Sequence, residues 1–204
     1  MPLFYSHTID ANTRLAVWQI SEPEDFFLEK VPLSRSITHP HKRLQHLAGR
    51  YLLQWLFPDF PIQLIQIADT RKPYLASESH HFSISHCGDY AAAIVSTERR
   101  VGIDIELHSE RIEKIRQKFL NEHEWELGQH ASELFPTIIW SAKESMYKWY
   151  SLGEVDFQQH LQVKQLVWDG GEGRIVAEFH KDELRQLNIS VRTWQPLVLT
   201  WIGI

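Results

Sequence analysis

The stretch Val101-Gly102-Ile103-Asp104-Ile105-Glu106 decides the local fold, because its residue types alternate with the period of a β-strand. Its apolar positions share one face, whereas Gly102, Asp104 and Glu106 share the other. Two carboxylates at i and i+2 lie ~7 Å apart along a strand. Such oxygen ligands suit Mg²⁺, which also keeps waters and binds phosphate oxygens, and Gly102 leaves room for a ligand near the backbone. The alternative is an ordinary half-buried strand with its polar face in water.

A second stretch, Trp140-Ser141-Ala142-Lys143-Glu144-Ser145-Met146-Tyr147-Lys148, has the period of an α-helix. Glu144 and Lys148 are four residues apart and share a face. The alternative is a common surface ion pair, which contributes about 0.2–0.5 kcal/mol. Packed against the strand, this helix would add a carboxylate and an ammonium group, and the combination suits chemistry on a pyrophosphate. An apolar stripe at near-helical spacing predicts its buried face: Ile139, Ala142, Met146 and Trp149.

Together the two stretches resemble the 4′-phosphopantetheinyl transferase superfamily, whose members typically carry a (V/I)-G-(I/V)-D-x-E strand followed by a W-(S/T/C)-x-K-E-(A/S)-x-x-K helix. Three upstream segments extend the resemblance, at 42–53, 71–75 and 82–87, so that the matches run from about residue 40 to residue 150. Arg71 departs from the pattern, because a glycine is more usual before the Lys-Pro of the second segment. This departure leaves the shape of that turn open.

The resemblance implies an α+β fold, with two similar α+β lobes in a pseudo-twofold arrangement and the active site between them. The length of 204 residues matches the single-chain, surfactin-synthetase-activating type, and not the shorter form that trimerises. We therefore expect a monomer. We place an N-terminal lobe with the coenzyme A phosphate and adenine contacts at 1–99. A C-terminal lobe with the metal site and the catalytic helix follows at 100–204.

Local patterns predict the main elements of both lobes. A helix is expected over 40–57, and a hairpin from strands over 82–85 and 90–96. In the second lobe, helices are expected over 121–130 and 134–152.

The activity implied by the resemblance is transfer of the 4′-phosphopantetheine arm of coenzyme A to a serine of an apo acyl or peptidyl carrier protein, with release of adenosine 3′,5′-bisphosphate. Asp104, Glu106 and Glu144 match the family's magnesium-binding positions, with Mn²⁺ as the alternative metal. Lys148 matches the helix lysine that stabilises or protonates the departing phosphate. The carrier protein supplies the nucleophile, so this chain needs none of its own.

The base that accepts the serine proton is assigned by a third resemblance. Residues 119–125 are similar to the family segment F-(F/L)-(S/N)-x-x-E-(Y/W/L), in which Glu124 matches the proposed general base. Glu122, one register away, and Glu144, through a metal-bound water, are the alternatives. A carboxylate favoured by the helix dipole in a first turn is the structural alternative for Glu124.

Coenzyme A carries a pyrophosphate and a 3′-phosphate, so it needs several cations. Arg43 and Arg50 are two helical turns apart, ~10 Å along one face, and either guanidinium can bind a phosphate bidentately. For His86 the alternative is a structural histidine at a strand end, and for Lys143 it is a surface role. The resemblance assigns the coenzyme A contacts to Arg43, Arg50, Lys72, Pro73, Ser85, His86 and Lys143.

Composition and charge limit the classes of partner and the cellular location that we expect. The net charge of −5 disfavours nucleic acid, whereas Arg111, Lys114 and Lys118 form a local basic stripe that would attract an acidic carrier protein. The lone Cys87 excludes an internal disulfide and agrees with a reducing compartment. The segment 1–7 lacks the pattern of a secretory signal, and no apolar run approaches the ~20 residues of a membrane span. A cytoplasmic protein without membrane contact is therefore expected.

Two other functions remain open from the sequence. One is a Mg²⁺-dependent coenzyme A or nucleotide pyrophosphatase that uses the same carboxylates with water as nucleophile. The other is a non-catalytic carrier-protein-binding module. The sequence also leaves open whether fatty acid, polyketide or nonribosomal peptide biosynthesis is served and whether acylated coenzyme A is accepted.

Overall fold

The computed structural model has the α+β fold that the sequence predicts. The chain divides into two compact units. The first extends to Val101 and includes Gly203, and the second extends from Gly102 to Ile202. This division lies two residues beyond the predicted lobe boundary. The described residues are 2–33, 36–128 and 132–203.

The first unit combines an antiparallel sheet with one long helix. The strands lie in the order β1-β2-β6-β5, and β3 pairs with β4 separately. Helix α2 packs on the four-stranded sheet through Leu47, Leu52 and Leu53, all fully buried. The predicted helix over 40–57 and the predicted hairpin are confirmed. The elements are β1 (Leu3–Thr8), β2 (Thr13–Gln19), α1 (Glu24–Leu28), α2 (Pro40–Leu56), β3 (Ile65–Ile67), β4 (Pro73–Leu75), β5 (His81–Cys87) and β6 (Tyr90–Ser96).

The second unit also packs one long helix on an antiparallel sheet, here in the strand order β7-β11-β10-β9-β8. The helix predicted over 121–130 is only five residues long in the structure, and positions 129 and 130 lie outside the described residues. The elements are β7 (Gly102–Leu107), α3 (Glu110–Ile115), α4 (Glu122–Glu126), α5 (Phe135–Tyr150), β8 (Leu161–Trp168), β9 (Glu172–His180), β10 (Leu184–Trp194) and β11 (Leu197–Ile202).

Helix α5 is the central element of the second unit. Pro136 lies in its first turn, where a missing N–H costs nothing, and Ser151 ends it in the left-handed conformation at φ 77°. The predicted buried stripe is confirmed, since all four of its side chains belong to the core of this unit. Burial of this stripe against the sheet fixes which face of α5 points towards β7.

Gly102 allows α5 to pack directly on β7. A Cβ atom at this position would overlap the carbonyl oxygen of Ser145 and press on Trp149. The expectation that Gly102 leaves room for a ligand is therefore corrected, because the helix backbone occupies that space. The remainder of β7 is also enclosed: Ile103 and Ile105 are fully buried and Asp104 is 2% exposed. This burial excludes the alternative of an ordinary strand with its polar face in water.

Candidate active site

Two elements of the second unit position the predicted carboxylates. Asp104 lies on β7 directly opposite Thr200 of β11. The Thr200 hydroxyl is hydrogen-bonded to Ser141 Oγ at 3.0 Å and to Ser145 Oγ at 2.7 Å, and Ser145 also donates to the Thr200 carbonyl. All three hydroxyl residues are fully buried. These bonds fix α5 over the β7–β11 pair, so that Glu144 is held near the strand carboxylates.

Lys148 connects the helix to the strand. Its Nζ donates to Asp104 Oδ1 at 2.5 Å, with the lysine side chain 22% exposed and the aspartate 2% exposed. The partner of Lys148 across the fold is therefore a strand carboxylate. The structure thus brings together the strand and helix residues that the two sequence stretches supply.

Burial and neighbouring charges raise the pKa of two of the carboxylates, Glu106 and Glu144. Burial, and then the charge of Asp104, raise the pKa of Glu106 to about 7, against the Trp140 hydrogen bond and the Lys148 charge. Burial and Asp104 likewise raise the pKa of Glu144 to about 7, whereas Lys148 lowers it. Mutual repulsion of this kind is typical of carboxylates that share a cation site.

The donor set fits a divalent cation. With all three carboxylates in the ionised form that a metal requires, their charge exceeds that of the Lys148 ammonium by two, and all the donors are hard oxygens. In the described part of the chain, however, no three His, Cys, Asp or Glu side chains are already gathered closely enough to hold a metal ion. The residue types of Asp104, Glu106 and Glu144 suit Mg²⁺ or Mn²⁺, but their side chains are not drawn together around a common point. The metal assignment therefore stays a prediction.

Trp140 is a residue of this site that sequence reasoning did not assign. Its Nε1 donates to Glu106 Oε1 at 3.2 Å. The signal available in the sequence was its position, one helical turn before Glu144, on the helix that carries the third carboxylate. An indole N–H can only donate, so Glu106 Oε1 is the acceptor of this bond. The bond therefore restrains the orientation of the Glu106 carboxylate.

Glu124 and Lys143 lie in the interior, bound to each other. Both side chains are 0% exposed, and Lys143 Nζ donates to Glu124 Oε2 at 2.8 Å. Burial lowers the pKa of Lys143, and the Glu124 charge opposes that shift. The predicted roles of Glu124 as base and of Lys143 at the phosphates stay predictions, and the burial of both side chains argues for a different role. Glu122, the alternative base, is exposed in the first turn of α4.

The predicted coenzyme A residues of the first unit lie on α2 and β5, in the turn before β4 and at the start of β4. Arg43 donates to Glu24 Oε1 at 2.6 Å and to the Ile37 carbonyl at 2.9 Å. Arg50 is 6% exposed, and its Nη1 donates to His46 Nδ1 at 3.0 Å. Their contact with phosphate stays a prediction.

Helix α2 and strand β5 approach each other closely, and the predicted phosphate contacts Ser85 and His86 belong to that strand. A Cβ on Gly49 would lie 2.6 Å from Ile84 Cγ2, so a larger residue would push the helix away from the strand. Gly49 precedes Arg50 on α2, and Ile84 precedes Ser85 and His86 on β5. Ser85 is buried and His86 is exposed at the end of that strand.

The turn that carries Lys72 and leads into Pro73 of β4 has an unusual backbone. Arg71 adopts φ 66°, in the left-handed region that favours glycine, and its N–H bonds to the Ala68 carbonyl at 2.8 Å. This geometry explains why a glycine is usual there and answers the question that the sequence left open. Lys72 and Pro73 are both half-buried.

Helices long and apolar enough to cross a membrane are not found in the described ranges. The three residues of the predicted basic stripe are exposed: Arg111, Lys114 and Lys118. Lys114 forms an ion pair with Glu110 at 3.0 Å.

Comparison with known proteins gives matches to one family. The family model described as the 4′-phosphopantetheinyl transferase superfamily matches residues 100–201. The chain is 33% identical over 116 residues to enterobactin synthase component D of Salmonella typhi, covering 54% of this chain and 49% of that protein. It is 34% identical over 114 residues to the protein of the same name from Salmonella austin, covering 54% and 48%. The chain spans about half the length of the curated relatives it matches.

Proposed function

Because the chain belongs to the 4′-phosphopantetheinyl transferase superfamily, we propose that it transfers the 4′-phosphopantetheine arm of coenzyme A to a serine of an apo carrier protein. The observation that carries the proposal is the meeting of Asp104 and Glu106 on β7 with Glu144 and Lys148 on α5. This set of charges is suited to a pyrophosphate and a divalent cation.

The reaction exchanges one phosphorus–oxygen bond for another. The serine Oγ of the carrier protein attacks the β-phosphorus of coenzyme A and forms a new P–O bond. The bond from that phosphorus to the bridging oxygen breaks, and adenosine 3′,5′-bisphosphate departs with the electron pair. The serine proton passes to a base, and the departing phosphate is stabilised or protonated.

Asp104, Glu106 and Glu144 would hold the metal, with Mg²⁺ as the first choice and Mn²⁺ as the second. When bound, the metal neutralises charge on the attacked and departing phosphates. Lys148 supplies a positive charge on the same side of α5 and is 22% exposed, so it can reach a bound phosphate. Its ammonium is the group that we assign to the departing phosphate.

The serine proton needs an acceptor with a pKa near the working pH. Glu124 matches the family base, but its carboxylate is fully buried. Glu144 is less buried than Glu124, and it lies beside Asp104 and Lys148, whose charges act on its carboxylate. Glu144 is therefore the acceptor that the geometry supports better.

The phosphates and adenine of coenzyme A are assigned to the first unit. Arg43 and Arg50 on α2 provide two guanidinium groups. The other proposed contacts are Lys72, Pro73, Ser85 and His86. The carrier protein would dock on the basic stripe of Arg111, Lys114 and Lys118, because opposite charges speed and orient such an encounter.

The relatives are named as components of enterobactin synthase. A peptidyl carrier domain of such a synthase is therefore the first protein substrate to test. We further propose that the protein acts as a cytoplasmic monomer.

Intact-protein mass spectrometry tests the proposal. The apo carrier domain is incubated with the protein, coenzyme A and Mg²⁺, and in parallel with EDTA. We expect the carrier to gain one phosphopantetheine arm in the presence of Mg²⁺ and none when EDTA has chelated the metal. Cleavage of coenzyme A without transfer would favour the pyrophosphatase, and binding of coenzyme A with neither reaction would favour the binding module.

The variant Glu144→Gln removes one carboxylate charge from the site and is expected to abolish transfer with the fold retained. Glu29→Gln is the matched control, because Glu29 follows α1 with a side chain that is 75% exposed. Full activity of Glu144→Gln would overturn the metal and base assignments together.

A further inference from the structure

Lys143 uses all of its hydrogen-bonding capacity inside the protein. An ammonium group has three donors, and Lys143 Nζ donates to the Phe119 carbonyl at 2.6 Å, the Phe157 carbonyl at 2.7 Å and Glu124 Oε2 at 2.8 Å. The side chain is 0% exposed. No donor remains for the phosphate of a ligand.

Glu124 is bonded on both of its oxygens. Oε2 accepts from the Asn121 N–H at 3.1 Å as well as from Lys143, and Oε1 accepts from the Val163 N–H at 2.8 Å. Asn121 caps the N-terminus of α4, and Val163 belongs to β8, an edge strand of the sheet. The carboxylate therefore joins α4, β8 and α5 at one buried point.

The two carbonyl partners of Lys143 also hold Trp140 through their side chains. The Phe119 ring lies 5.1 Å from the Trp140 ring at an interplanar angle of 60°. The Phe157 ring stacks on Trp140 at 5.4 Å and 25°. The same residues that bind the ammonium through their backbone thus enclose the indole through their rings.

Trp140 in turn holds Glu106, to which its Nε1 donates at 3.2 Å. A connected path therefore leads from the Glu124–Lys143 ion pair, through Phe119 and Phe157, to a predicted metal ligand. Lys143 also immediately precedes Glu144 on α5, so its anchorage limits rotation of the helix about its own axis.

We propose that Glu124, Lys143 and Trp140 are positioning residues that hold Glu106 and Glu144 in the orientation that binds the divalent metal. The inference rests on the proposed function in one respect, namely that these carboxylates bind a metal. It replaces the roles predicted for Glu124 as base and for Lys143 as a phosphate contact. Residues of this kind, which orient metal ligands without touching the metal, commonly change metal affinity by 10–100-fold when they are lost.

The conservative variant Trp140→Phe tests the proposal directly. Phenylalanine keeps an aromatic ring between Phe119 and Phe157 and removes the N–H that reaches Glu106, together with one ring of the indole; the control substitution removes the same atoms. Mn²⁺ binding to the full chain is measured by electron paramagnetic resonance, without coenzyme A or carrier protein, beside thermal unfolding. Trp55→Phe, at a partly exposed tryptophan of α2, is the matched control.

We expect Trp140→Phe to weaken Mn²⁺ binding by about 10-fold while its thermal unfolding in the absence of metal stays close to that of the parent. An Mn²⁺ Kd equal to that of Trp55→Phe would overturn the proposal. Because Mn²⁺ binding is measured without substrates, this result is independent of whether the parent protein transfers phosphopantetheine.

Glu124→Gln separates positioning from base catalysis. A positioning role predicts a raised Mn²⁺ Kd and recovery of turnover at saturating metal. Loss of turnover that saturating metal does not restore, with an unchanged Mn²⁺ Kd, would show that Glu124 is the base and would overturn the proposal. Should Glu124→Gln fail to fold, Trp140→Phe still decides the question.

Discussion

Lys148 on α5 and Asp104 on β7 are joined by a 2.5 Å hydrogen bond between Nζ and Oδ1. The two residues have opposite effects on the neighbouring carboxylates. The Asp104 charge raises the pKa of Glu106 and of Glu144, and the Lys148 charge lowers both. The ion pair therefore sets the charge balance at the point where we place the metal and the pyrophosphate.

Lys148→Met removes the positive charge but keeps a side chain of similar length. We expect transfer to slow by about 10²–10³-fold, the usual loss when one stabilising charge or donor is removed from a reacting centre. The pKa values of Glu106 and Glu144 should rise further, since the group that lowers them is gone. Turnover measured by carrier-protein mass, with carboxyl titration followed by NMR, checks both effects.

Lys30→Met serves as the control for this variant. Lys30 is an exposed lysine that follows α1 and forms an ion pair with Glu29 at 3.8 Å, and surface pairs of this kind contribute little to stability. Equal activity of Lys148→Met and Lys30→Met would contradict the role assigned to Lys148.

Stability should fall as pH rises through the range in which the carboxylates titrate. Glu106 and Glu144 have pKa values of about 7 in the folded protein, against an ordinary value of 4.5. Between those values the folded state holds protons that the unfolded state has lost, so rising pH favours unfolding, and the effect levels off above pH 7. Thermal unfolding between about pH 5 and pH 8 measures this slope, and Glu144→Gln should flatten it.

Mg²⁺ should reverse this loss of stability. A ligand at 100 times its Kd that binds only the folded state adds about 2.7 kcal/mol. Because the cation competes with protons for the same carboxylates, its stabilising effect should be larger above pH 7 than near pH 5. The measurement is the difference in Tm between the protein in Mg²⁺ and the protein in EDTA. An equal rise in Glu144→Gln would contradict the assignment of that residue to the metal.

The sequence predicted the candidate site as far as local periodicity could reach. A period of two puts Asp104 and Glu106 on one strand face, and a period near 3.6 puts Glu144 and Lys148 on one helix face. Each of these periodicities describes one strand or one helix alone and does not show that the two pack together. The meeting of the two elements came from the family resemblance, and the structure shows it through the Lys148–Asp104 bond.

The burial of Lys143 and Glu124 could not be predicted in the same way. Their enclosure depends on the Phe119 and Phe157 carbonyls and on the Val163 N–H, which come from segments far apart in sequence. Every residue except proline has the same backbone N–H and C=O groups, so such partners cannot be recognised from the residue types in the sequence. A lysine next to a predicted metal-binding glutamate therefore has the same local pattern whether it faces a ligand or the core.

The contact between Gly102 and α5 gives a steric test of the site. Gly102→Ala places a methyl group against the Ser145 carbonyl and Trp149, so α5 has to shift away from β7. Overpacking of this size costs about 1–3 kcal/mol, and transfer should fall because Glu144 and Lys148 move with the helix. Chemical denaturation and the transfer assay are the measurements.

Gly171→Ala is the control for that substitution. A Cβ on Gly171 would meet only Asp169 Oδ1, at 3.8 Å, so we expect little change in stability or activity. Similar losses in both variants would show that replacement of a glycine, and not the α5 contact, is responsible.

Arg71→Gly should stabilise the protein. Arg71 is held at φ 66°, a conformation that costs a residue with a Cβ atom about 1 kcal/mol and that glycine adopts freely. Urea unfolding should therefore show a gain of about 1 kcal/mol. Arg71→Ala is the matched control, because it removes the same side chain but keeps the Cβ atom. If both variants gained the same amount, the benefit would come from loss of the arginine side chain and the backbone explanation would be wrong.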